Sequence, residues 1–193
     1  MSPGDPEALE KLHRGVRRCR RCPLHEHRTR AVPGEGPANA WAMFVGEAPG
    51  AKEDVEGRPF VGRAGAFFDA ALQDAGLRRE DAYVTNSVKC RPPGNRDPRV
   101  GELEACRQAW LEKQIQLVDP ALIVVMGNVA ARELLGARDP LADLRGRLHE
   151  HQGRRCLVTY HPASAMRFPE AGRAWLSDFR KLERLRAREA KDT

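Results

Sequence analysis

A carboxylate, a carboxamide and an imidazole each stand where a short apolar run gives way to a loop. Glu47 lies in Gly46-Glu47-Ala48-Pro49-Gly50, Asn86 in Thr85-Asn86 and His161 in Tyr160-His161-Pro162. In sheets whose strands run parallel, ligands bind outside the carboxyl ends of the strands. Three such ends on one edge would aim all three groups into one pocket. Each has an ordinary alternative: Glu47 as a solvated loop carboxylate, Asn86 as a turn cap and His161 as the partner of a backbone carbonyl. Their joint placement after three strands favours a site. The inference requires the strand at 155–160 to run parallel to the others, although it also reads as one arm of a hairpin.

The first of these loops continues as AKEDVEGRPFVGRAG. Its glycines allow close backbone approach, and Arg58 and Arg63 sit just before a predicted helix, a setting suited to phosphate. The Lys-Ser/Thr spacing of a P-loop is missing. Phe60 stands among the glycines, placed either to stack on a planar base or to fold back over the core. The cysteines are a second group. Cys19 and Cys22 form a C-x-x-C pair, Cys90 and Cys106 stand far downstream, and Cys156 is alone. The pair follows a run of arginines at the end of a predicted helix, unlike a redox motif beside a strand. Four thiolates suit zinc or an iron–sulfur cluster equally by spacing. His149 and His151 share one face of the expected hairpin but have no further ligand near them in sequence.

The elements that would position these residues alternate. Asp5-Pro6 reads as cap and first turn of a helix carrying Leu9, Leu12 and Val16 on one face. Strands are predicted at 40–45, 82–85 and 122–125, with helices over about 64–72, 102–118 and from 127 to Gly136. A hairpin over 147–151 and 155–160 turns at Gln152-Gly153, and a last helix spans about 171–187. This order argues an α/β fold, three-layer α/β/α, with a mainly parallel central sheet. No linker divides the chain, so the 193 residues are expected to form a single domain.

Composition bounds the partners. There are 33 basic residues, 27 of them Arg, against 27 acidic ones, for a net charge of +6. That is compatible with a polyanionic partner without demonstrating one. The longest apolar run, Ala121–Met126, is far short of the roughly 20 residues that span a bilayer. The N-terminus lacks the pattern of a secretion signal. A cytoplasmic chain with no membrane partner is expected, and five cysteines in that setting argue against a disulfide framework.

Three segments taken together, GEAPGAKEDVEGRPFVGRAG, TNSVKCRPPGNRDP and HPASAMR, resemble the family 4 (iron–sulfur) uracil-DNA glycosylases. The resemblance runs from about Cys19 to the last helix. It implies a four-stranded sheet and a 4Fe-4S cluster on Cys19, Cys22, Cys90 and Cys106, tying the N-terminal segment 6–22 to the loop after the second strand. Cys156 falls outside that set. It further implies that Glu47 positions or activates water, Phe60 stacks on uracil, and Asn86 reads the base edge. His161 would bond the uracil carbonyl beside the breaking bond. Glu53 would line the face where thymine carries its methyl, beside Ala48. Ala48 stands where a covalently acting neighbouring branch typically has Gln, and the 15 residues between Cys90 and Cys106 contain no histidine. The implied activity is therefore hydrolytic release of free uracil from single- or double-stranded DNA, by a monomer. Arg58, Arg63, Lys89, Arg91 and Arg167 are expected on DNA, with Met166 as the wedge entering the base stack. The alternatives are a non-catalytic iron–sulfur nucleic-acid-binding module and a glycosylase of different or broader base preference.

Overall fold

A computed structural model describes residues 2–192, with side chains through Glu189. Helix α1 (Pro6–Arg17) is started as its sequence dictates. Asp5 accepts the backbone N–H groups of Glu7 and Ala8 at 2.9 and 3.1 Å, and Leu9, Leu12, His13 and Val16 form its buried face. Strands β1 (Ala42–Gly46), β2 (Tyr83–Asn86) and β3 (Leu122–Met126) are buried along their whole length, as apolar runs covered on both faces must be. Strands β4 (Leu148–His151) and β5 (Arg154–Thr159) form the expected hairpin.

The sheet therefore has five strands, in the order β2-β1-β3-β5-β4, and not the expected four. The added strand is β4, which is antiparallel to β5. Strand β5 itself runs parallel to β3, with Met126 opposite Thr159, while Gly46 lies opposite Asn86. The hairpin thus reverses the edge strand and leaves β5 in the direction the site requires.

One face of the sheet is covered by α1 and by the stretch from α4 (Val100–Cys106) through a π-helical turn (Arg107–Leu111) to α5 (Glu112–Val118), with α6 (Asn128–Leu135) beyond. The other face carries α3 (Arg63–Asp74) and α9 (Pro169–Asp192), which bury Phe68, Leu72, Trp175 and Phe179 against Phe44 and Val84. Three short helices lie outside the predicted pattern: α2 (Ala51–Glu56), α7 (Leu141–Leu144) and α8 (Pro162–Arg167). No helix among the described residues is long and apolar enough to cross a membrane.

Candidate active site

The carboxyl ends of β1, β2 and β5 open onto one cavity of about 320 Å³, lined by Glu47, Ala48, Glu53, Phe60, Asn86 and His161. Glu47, Asn86 and His161 are the three that the strand ends place together, and Ala48, Glu53 and Phe60 are those the resemblance adds. Asn95 and Arg96 complete the wall from the loop after β2, a contribution not anticipated.

Asn86 ends β2 and is 1% exposed. Its Oδ1 is buried and has no hydrogen-bond partner. An acceptor left orphaned in a folded protein is costly, and at the wall of a cavity it marks a place for a ligand donor. Gly46, facing Asn86 across the strand pair, is there for space: a Cβ on it would sit 2.5 Å from Asn86 Oδ1 and 2.6 Å from Phe60 Cζ.

Phe60 occupies the left-handed region at φ 50°, a conformation costly for a bulky residue and found where surrounding structure enforces it. The enforcement is visible. Arg79 donates to the carbonyls of Pro59 (2.6 Å) and Phe60 (3.4 Å), and to Asp69 and Glu35. Glu53 Oε1 accepts the N–H groups of Val61 and Gly62, both at 2.9 Å. Gly65 allows the Phe60 carbonyl to approach so closely that any Cβ there would collide with it. The Phe60 ring contacts those of Phe68 and His161, with centroids 5.5 and 5.8 Å away. It is thus a pocket wall whose other side rests on the core. Arg79 was missed from sequence because it acts on backbone carbonyls, which leave no residue pattern.

His161 caps α8. Its Nδ1 accepts the N–H of Ala163 at 3.3 Å, and Pro162 supplies the first helical residue. An accepting Nδ1 assigns the ring proton of the neutral form to Nε2, which is then a donor. Burial pushes the His161 pKa down to about 4, opposed by the charge of Glu53. The ring is therefore neutral near pH 7. Glu47 has its pKa raised, first by burial and then by Asp97, with Arg132 acting the other way.

The expected DNA contacts divide. Arg63, Met166 and Arg167 are exposed, while Ala165 beside Met166 points into the core. The Arg167 guanidinium lies over the exposed Phe168 ring, 5.4 Å from its centroid. Arg58 pairs with Glu35 at 2.9 Å, and Arg91 bonds Asn95 at 2.8 Å. Lys89 requires correction. It is 1% exposed, with Nζ bonded to Thr85 Oγ1 and the Asn86 carbonyl, and it cannot reach a phosphate. Its chain turns inward because the segment from Tyr83 to Cys90 is buried throughout.

Cys19, Cys22, Cys90 and Cys106 line one small cavity beneath the loop after β2. Trp110 Nε1 donates to Cys19 Sγ at 3.1 Å, and Arg28 donates to Cys90 Sγ at 3.0 Å. Burial pushes the thiols of Cys22 and Cys90 up and that of Cys106 to about 12. Among the described residues, no group of three or more His, Cys, Asp or Glu side chains closes on a single ion position. A four-iron cluster takes four thiolates, each on its own iron. Sulfur donors only, with N–H donors aimed at two of them, fit such a cluster. Cys156 is buried in β5, away from this set. His149 bonds the Leu144 carbonyl at 2.9 Å and joins no metal site among the described residues.

The three-layer α/β/α fold gathers an aromatic wall, an unpaired carboxamide oxygen and a half-buried carboxylate at the strand ends. The chain belongs to the uracil DNA glycosylase superfamily, whose family model matches residues 33–183, and within it to the type-4 family. It is 46% identical over 171 residues to the Type-4 uracil-DNA glycosylase of Pyrobaculum aerophilum, covering 83% of this chain and 86% of that one. It is 40% identical over 187 residues to that of Archaeoglobus fulgidus, covering 93% and 94%. To that of Thermotoga maritima it is 41% identical over 163 residues, covering 83% and 84%.

Proposed function

We propose that this chain hydrolyses the N-glycosidic bond of deoxyuridine in DNA and releases free uracil, the first step of base excision repair. The observation that carries this reading is the orphaned Oδ1 of Asn86 at the wall of a cavity shared with Phe60 and His161.

Uracil offers N3–H as a donor and O4 as an acceptor. Asn86 matches both, its Oδ1 taking N3–H and its amide N–H giving to O4. Cytosine presents the opposite pair, and binding it would leave buried groups unpaired, which rejects strongly. The base must leave the stack to enter, and its face then lies on the Phe60 ring. As the bond from C1′ to N1 breaks, the sugar gains cationic character and negative charge grows on the departing base. Nε2–H of the neutral His161 donates to the carbonyl oxygen beside the breaking bond and strengthens as that charge develops. The ionised Glu47 stabilises the sugar cation, orients water on it and takes the water's proton. Its raised pKa suits it to that last role. Glu53, pinned by Val61 and Gly62, lines the side where thymine carries its methyl.

Cys19, Cys22, Cys90 and Cys106 would hold a 4Fe-4S cluster. When bound, it would supply a covalent cross-link between the end of α1 and the loop that carries Asn95 and Arg96 to the pocket. Arg58, Arg63, Arg91 and Arg167 would grip phosphates around the mouth, with Met166 filling the space of the extruded base.

The test is incubation with duplex DNA containing one uracil, followed by alkaline cleavage of abasic sites. Cleavage at the uracil supports the reading. Intact DNA, with a folded and cluster-bearing protein, would support the non-catalytic alternative.

A further inference from the structure

Lys89 is 1% exposed and has no anionic side chain for a partner among the described residues. Its Nζ donates at 2.7 Å to Thr85 Oγ1 and at 2.6 Å to the backbone carbonyl of Asn86, both neutral, and no carboxylate among the described residues pairs with it. An ammonium buried without a counter-charge is an arrangement folded proteins avoid. Lys89 lines the same small cavity as Cys19, Cys22, Cys90 and Cys106, and its own backbone N–H donates to Cys106. Lys89 therefore stands between the four-cysteine cavity and the residue that reads the base.

We propose that Lys89 is the buried counter-ion of the four-cysteine cluster and, through the Asn86 carbonyl, the tether that holds the end of β2 in its base-reading position. A cluster held by four thiolates carries net negative charge in a site with little water. An ammonium beside the cavity those sulfurs line offsets that charge, and the charge in turn offsets the cost of burying the ammonium. The same Nζ fixes the Asn86 backbone, so one side chain serves both sites. Thr85 keeps the tether aimed, since its Oγ1 is itself fixed by donating to the Pro33 carbonyl at 2.9 Å. The inference rests on the cluster reading given above.

The experiment compares anaerobically purified wild-type protein with Lys89→Gln and Lys89→Met. Iron, acid-labile sulfide and visible absorbance are measured first on the wild type. Their absence would overturn the cluster reading itself, and the counter-ion role with it. With the cluster present, both variants should lose it to a chelator roughly tenfold faster or more, the usual effect of removing a group that supports metal ligands. Gln keeps an N–H donor, one bond shorter than the ammonium, on the side of the Asn86 carbonyl, and Met keeps none, so Lys89→Gln should excise uracil faster than Lys89→Met at matched cluster content. Wild-type chelator resistance in both variants would overturn the counter-ion role while leaving the cluster intact. Equal excision by the two would overturn the tether. The nitrogen NMR spectrum of the lysine side chains in wild-type holoprotein needs no variant. One of the six lysines should give an exchange-protected ammonium signal shifted by cluster paramagnetism. Six ordinary solvent-exchanging signals would overturn the proposal.

Discussion

Gly46→Ala adds one methyl group at the point where the pocket is tightest. The new Cβ would lie 2.5 Å from Asn86 Oδ1 and 2.6 Å from Phe60 Cζ, where ordinary contact begins near 3.4 Å. Each neighbour must move by close to 1 Å, or the strand must. Asn86 is held by β2 and by Lys89, and Phe60 by Arg79 and the Phe68 ring, so neither yields freely. Overpacking of this kind costs about 1–3 kcal/mol. For a chain of this size that lowers the melting temperature by roughly 2–4 °C per kcal/mol. Misplacing a reacting or reading group by about 1 Å costs on the order of a hundredfold in rate. Single-turnover excision of uracil from an oligonucleotide, with a melting curve beside it, reads both effects. Gly101→Ala is the control, because Gly101 lies in α4 and a methyl group added there would meet nothing within 4 Å. Its rate and melting should hold or improve slightly. A Gly46→Ala enzyme within threefold of the wild-type rate would refute the claim that Asn86 and Phe60 are positioned as the reading residues.

Other outcomes follow from the same geometry. Asn86→Ala and His161→Ala should slow single-turnover excision by about a hundredfold or more, as loss of one transition-state donor does, with nonspecific DNA binding in a filter or anisotropy assay nearly unchanged. The excision rate should fall as pH drops through the raised pKa of Glu47, because protonation removes the carboxylate, and a pH profile flat to well below pH 4 would contradict its role. Stability should also fall with acid. The pKa of His161 drops from about 6.5 to about 4 on folding, so between those values the unfolded chain binds the proton and the folded one does not. That costs at most about 3 kcal/mol below pH 4. His13, pushed to about 4 by burial, adds to the same slope, and urea midpoints for His161→Asn should show a shallower decline. Cys90→Ser should lose the visible absorbance of the cluster, and an unchanged spectrum would remove Cys90 from the ligand set.

Much of this site is legible in the sequence because it lies where apolar runs end. Glu47, Asn86 and His161 follow β1, β2 and β5, and the parallel pairing of β5 with β3 brings them to one edge. The helix at Pro6 is legible through Asp5, whose side chain caps it as that residue type should. What escaped was set by tertiary contacts. Helix α2 is only six residues long and starts at a glycine with no side-chain cap, so neither periodicity nor a capping residue marks it. The π-helical turn at Arg107–Leu111 has no distinct residue pattern. Lys89 reads as one more basic loop residue, yet the segment from Tyr83 to Cys90 that carries it is buried throughout. Arg79 lies 19 residues from Phe60 and holds it through backbone oxygen, a contact no spacing rule reveals.

The most direct measurement is a count of products from one turnover. Purified cluster-bearing protein, mixed in excess with DNA holding a single uracil, should yield one free uracil and one abasic strand per DNA by mass spectrometry. The protein should be recovered at unchanged mass, and Asn86→Ala should release almost nothing in the same time. DNA that is bound with its uracil still attached, or a protein mass increased by a DNA adduct, would contradict hydrolytic release by this pocket.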